Sequence, residues 1–211
     1  MVDGRGDRTR RDVLKAAVAV GGAAALSACL ERTAEPVPAG TDQFSSLPER
    51  QHAWNDRVRT DEHGNTLLPR HQLLLYLTLP GEGPPDEADR ATVETALQTL
   101  DRAYERSSEG LLYSIAYSPR YFDRFEDDLP DSIDLPEPRA LSSFETPTLD
   151  RQDALLHLAS DRADVVLTAE EALTGDEDTA NDVPVEATLT DVFEVSDRRS
   201  GFVGAGMPAD R

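Results

Sequence analysis

Lysine is nearly missing from this chain: of its 21 basic residues only Lys15 is a lysine. Cysteine occurs once, at Cys29, which excludes an internal disulfide. Histidine occurs four times, and no two histidines have metal-ligand spacing on one element. Beyond the first thirty residues no apolar run is long enough to cross a bilayer. The Gly-x-Ser-x-Gly context of an activated serine does not occur, so Ser114 and Ser118 have no nucleophile setting. Gly201, Gly204 and Gly206 do not follow the dinucleotide-binding fingerprint.

Acid is what the chain has in excess. Asp and Glu number 41 against 21 basic residues, a formal net charge of -20. The acid is spread along the chain and opposes folding by self-repulsion unless salt screens it. That predicts a protein suited to concentrated salt, as in a salt-accumulating halophile; the choice of arginine over lysine is also what a GC-rich genome would produce. The charge argues against nucleic acid or an anionic membrane surface as partner. A length of 211 residues suits one domain of ordinary size.

The first thirty residues carry an export signal. Arg10 and Arg11 are followed by Val13, Leu14, Lys15 and an uncharged run from Ala16 to Ala28. A basic start, a short apolar run and small residues at its end make a signal peptide. The twin arginines resemble the twin-arginine export signal, whose machinery carries folded proteins. Leu26-Ser27-Ala28-Cys29 resembles a lipobox, in which cleavage leaves Cys29 to receive a lipid. Residues 1–28 are therefore read as signal peptide and 29–46 as a lipid-anchored, Pro-containing flexible tether. The expected location is the extracellular face of the cell membrane.

Six elements are predicted after the tether. Strands are read at 71–79, 110–117, 153–160 and 184–195, and helices at 86–107 and 161–175. Asp86 is the predicted N-cap of the first helix, with Val93, Ala96, Leu97, Leu100, Ala103 and Tyr104 on one face. Val165, Val166, Ala169, Ala172 and Leu173 make the stripe of the second, which Gly175 stops. A long proline-bearing connection with a short helical turn in SPRYFDRF joins the second and third strands. The order β-α-β-β-α-β predicts an α+β, ferredoxin-like domain over 47–200. Leu73, Leu75, Leu77 and Leu79 point one way and Leu74 and Tyr76 the other; Ala154, Leu156 and Leu158 oppose Leu155 and His157. Both faces of these strands are apolar, yet two helices cover only one. The other face is expected to need a cover.

Candidate chemistry is sparse. His52 and His63 lie in a polar lead-in, His71 begins a strand, and His157 reads as a satisfied strand histidine. Glu126-Asp127-Asp128 and Asp176-Glu177-Asp178 read as solvated loops. No catalytic, cofactor-binding or metal residue is predicted.

The strings GLLYSIAYSPRYFDRFEDDLP, LPEPRALSSFETPTLDRQDALLHLASDRADVVLTAEEAL and VFEVSDRRSGF resemble the N-terminal half of dye-decolourising haem peroxidases, with Tyr121-Phe122-Asp123 as the Phe-Asp segment and RQHAW at 50–54 as a His-Gln segment. The resemblance implies one half of a dimeric α+β barrel, two ferredoxin-like domains whose sheets meet with haem between them. It implies haem as the family's cofactor. The family's Gly-x-x-Asp-Gly motif does not occur here, and its proximal histidine and distal arginine belong to the second half. SGFVGAGMPADR at 200–211 is thus expected to lead, from about residue 201, into a second domain that this chain does not contain. The expectation is a lipoprotein not catalytic by itself, its sheet covered by a second domain or by a second copy. The alternative is a non-enzymatic surface binding or structural lipoprotein.

Overall fold

Alternating leucines in HQLLLYLT build the strand on which the fold is centred. The computed structural model describes residues 36–49, 56–127 and 151–204, and residues 129–149 apart from 131, 134 and 137. The signal residues Arg10 and Arg11, the lipidation residue Cys29, and His52 with the rest of RQHAW lie outside the described residues, as does Asp128.

The main elements are β1 (His71–Thr78), α1 (Glu87–Ala103), β2 (Leu112–Tyr117), β3 (Ala154–Ser160), α2 (Ala163–Thr174) and β4 (Glu194–Phe202). The sheet order is β2-β3-β1-β4 with every neighbour antiparallel. With α1 joining β1 to β2 and α2 joining β3 to β4, this is the ferredoxin-like arrangement. Two-residue ladders stand apart from it, Arg59–Thr60 with Thr66–Leu67 and Thr179–Ala180 with Val183–Pro184.

Period-2 alternation sorts β1 as predicted. Leu73, Leu75 and Leu77 are at most 1% exposed and pack with Leu156 and Leu158 of β3 under the helices. Each such leucine contributes about 1.5–3 kcal/mol of burial. The helices turn Val93, Ala96, Leu100 and Ala103, and Val165, Val166, Ala169, Ala172 and Leu173, onto that layer. Asp86 caps α1 in a reciprocal box: its side chain accepts from Asp89 N at 2.9 Å, and Asp89 returns the bond to Asp86 N. Gly175 ends α2 with φ 83°, a left-handed conformation that glycine adopts without strain.

Three boundaries differ from expectation. α1 stops at Ala103 rather than running to 107, because Tyr104 turns extended and the Asn181 side chain caps the Ala103 carbonyl at 2.6 Å. The expected tether reaches only part of the way to residue 46. Thr41 N bonds Asp101 O, Glu105 N bonds Pro38 O, and Val37 packs on the core, so this strap is docked on the end of α1.

The third correction is larger. The last strand is not 184–195 but 194–202. Within the expected strand, Leu189–Asp191 form a short 3-10 turn capped by Thr188, and Leu189, Val192 and Phe193 plug the core. Their alternation reflects that plug and not a pleat. β4 itself is exposed throughout its length, so it shows no apolar period; its pairing with β1 places it. Gly201 and Phe202, expected to open a connection to another domain, instead pair with Gln72 and His71.

The long connection between β2 and β3 is anchored at its start. Pro119–Phe122 form one helical turn. Just after it, Arg124 grips Asp153, with Nε to Oδ1 at 2.7 Å and Nη2 to Oδ2 at 3.0 Å. Asp153 is fully buried and also accepts from Leu79 N, while Arg124 donates to the carbonyls of Leu79, Gly81 and Gly83. One ion pair thereby ties three segments together.

Candidate functional site

The sheet face away from the helices carries the residues predicted for it. Leu74 of β1 stands opposite His157 of β3, which stands opposite Ser114 of β2; Tyr76 stands opposite Leu155, which stands opposite Ala116. Leu74, Leu155, His157 and Ser114 are half-buried, and Ala116 is exposed. The face is less open than its pattern predicts. Leu112 and Ala159 are fully buried at one end of it. Tyr76 is only 8% exposed, with the Arg199 guanidinium 4.8 Å from its ring centre.

Period 2 also separates the two arginines that sequence presents as a pair. Arg198 lies on the helix side and binds Glu170 of α2 through both its Nε and its Nη2. Arg199 faces the other way, toward Tyr76, and pairs with Asp197 at 3.1 Å.

His157 hydrogen-bonds Gln72 through Nε2, side chain to side chain. Burial lowers its pKa, favouring the neutral ring. His71 is half-buried at the start of β1 and lines a recess of about 300 Å³ with Leu167 and Phe202. His63 is exposed beside Glu62. Glu126 and Asp127 are exposed, and Asp176 accepts from the Thr174 hydroxyl. Among the described residues no group of three His, Cys, Asp or Glu side chains could hold a metal.

Sequence reasoning missed a groove of about 460 Å³ on the helix side of the molecule. It lies between α1 and β2, with Tyr113 and Tyr117 of β2, Tyr121 of the single turn, Leu97 of α1 and Phe44 of the strap among its walls. Tyr113 donates to Asp101 Oδ2 at 2.9 Å, and Arg106 Nη2 donates to Asp101 Oδ1 at 3.1 Å. Burial and the Asp101 charge raise the Tyr113 pKa; burial raises that of Tyr117. The i, i+4, i+8 spacing of Tyr113, Tyr117 and Tyr121 was the available signal.

Haem does not fit these residues. An axial ligand needs a free imidazole, thiolate, thioether or tyrosinate. The large groove has no histidine, cysteine or methionine in its walls, and burial raises the pKa of each of its three tyrosines, Tyr113, Tyr117 and Tyr121, which disfavours the tyrosinate. On the sheet face, Nε2 of His157 is engaged by Gln72. The recess beside His71 is at the bottom of the range for small-molecule pockets, about 300–1,000 Å³.

The topology thus defines a ferredoxin-like α+β domain with one helix-covered face. Residues 69–211 match the model of a family of unknown function, DUF7405, and the chain belongs to that family. None of the curated proteins matches it. Among solved structures it is similar to the encapsulated DyP-type peroxidase from Mycobacterium smegmatis, at 17% identity and a TM-score of 0.42, over 71% of this chain and 43% of that one. It is similar to the dye-decolorizing protein from V. cholerae, at 15% identity and a TM-score of 0.41, over 72% of this chain and 44% of that one. DyPB from Rhodococcus jostii RHA1 matches at 16% identity and a TM-score of 0.41, over 65% of this chain and 40% of that one. The chain therefore spans less than half the length of each.

Proposed function

We propose that this chain is a sheet-pairing, non-catalytic half of an exported haem-peroxidase-like protein. The observation that carries the reading is the sheet face beside β1 and β3, where Leu74, Leu155 and His157 stand together half-buried with no helix over them among the described residues. Apolar strand residues of this kind mark a face built to be covered. In this reading the cover is a second ferredoxin-like domain, or in its absence a second copy of the chain. The twin arginines Arg10 and Arg11 direct export, and Cys29 carries the lipid that holds the protein on the outer face of the membrane. Cys29→Ser is expected to move the protein from the membrane fraction to the soluble one; equal partition of both forms would remove the anchor from the account. The acidic surface keeps the domain soluble in concentrated salt.

Haem enters only through the resemblance, and the described residues do not offer it a fitting site. The test is a haem titration of the mature chain in high salt, following the Soret band. The expected result is weak, non-saturating binding and no peroxide turnover. A sharp, saturable Soret shift lost in His157→Ala, with turnover, would make the chain an enzyme by itself.

A further inference from the structure

The groove between α1 and β2 points to a ligand site that does not depend on the sheet face. We infer that it binds a planar aromatic molecule through an oxygen acceptor, held at Arg106. The walls supply the aromatic half of the match: Tyr113, Tyr117, Tyr121 and Phe44 come from three separate segments, and Leu97 adds aliphatic surface. About 460 Å³ suits one small ligand and is too little for a folded partner.

Arg106 supplies the polar half. Its side chain is 10% exposed, and it lies 5.1 Å from the centre of the Tyr113 ring. Arg106 lines the groove, and its one hydrogen-bonding partner among the described residues is Asp101, through Nη2; Nε is closed off from solvent, so the donors within a ligand's reach are those of the two Nη atoms. A guanidinium carries five N–H donors, and among the described residues Asp101 takes only one of them. Asp101 is shared, its Oδ1 accepting from Arg106 and its Oδ2 from Tyr113. What the site lacks is an acceptor. The Asp101 charge already balances that of Arg106, so a carboxylate and a neutral carbonyl both meet the requirement. A cationic ligand would leave the guanidinium unanswered.

The test uses the full chain and three naphthalene probes: naphthoate, acetylnaphthalene and naphthylmethylammonium, titrated by calorimetry. Saturable one-to-one binding of either oxygen-bearing probe is expected, with the cation weaker by about tenfold or more, the factor that one charge-assisted hydrogen bond supplies. Comparing naphthoate with acetylnaphthalene tells whether a charged or a neutral acceptor is preferred. Arg106→Met should cost the oxygen-bearing probes a similar factor. Leu97→Trp should fill the groove and abolish binding while leaving Arg106 and Asp101 in place, and it decides the matter if Arg106→Met fails to fold by circular dichroism. No saturable binding, equal binding of all three probes, or wild-type affinity in Leu97→Trp would overturn the proposal.

Discussion

Asp153 is one carboxylate among 41 acidic residues, and nothing in RQDALLHLAS distinguishes it. Folding buries it completely against Arg124, a residue 29 positions earlier in a loop. Such a pair is invisible in sequence because both partners belong to abundant types and meet only through tertiary structure. Removing one partner of a buried pair strands the other charge, at about 3–5 kcal/mol. Asp153→Asn is expected to lose stability of that order in denaturant unfolding; a change below about 1 kcal/mol, as for a surface pair, would contradict the burial. His157 was legible as a strand histidine among apolar neighbours, though its Gln72 partner was not. Its folded pKa lies below the ordinary imidazole value of about 6.5, so the unfolded chain binds more protons in between. Stability should therefore be unaffected by this group above that value. It should fall as pH drops from there toward the lower folded value. His157→Gln should flatten that limb of a plot of Tm against pH, and an unchanged slope would remove His157 as its source.

At the scale of elements, both helices could be read because their stripes follow 3.6-residue spacing and their ends carry local chemistry, Asp86 at one and Gly175 at the other. The first three strands could be read because their apolar residues alternate. β4 could not. It is exposed on every residue and owes its place to backbone pairing with β1, while the apolar residues just before it serve the core from a 3-10 turn. Hydrophobic period reports burial, and an edge strand with little burial has none to report. The glycines give an element-scale prediction. A methyl on Gly110 would sit 2.1 Å from the Glu105 carbonyl oxygen, whereas one on Gly175 would meet Thr188 Cγ2 at 3.4 Å and cost mainly the left-handed backbone. Gly175→Ala should lose about 1–2 kcal/mol. Gly110→Ala should lose more in the same denaturant series, and the reverse order would contradict the packing at the start of β2.

For the whole molecule, the sheet faces were legible and their cover was not. Alternation placed Leu74 and His157 together, but covalent sequence carries no sign of what packs on them. Structure adds that one end of that face is closed at Leu112 and Ala159 and that Arg199 shields Tyr76. A half-buried leucine at the centre of that face is the place to break pairing through it, since aspartate there would be costly to bury and harmless if solvated. The most direct measurement is the mass in solution of the mature chain and its Leu74→Asp variant, by light scattering in high salt across a range of concentrations. The account predicts self-association of the wild type, and a folded monomer for Leu74→Asp. A wild type that stays monomeric at every concentration would contradict it.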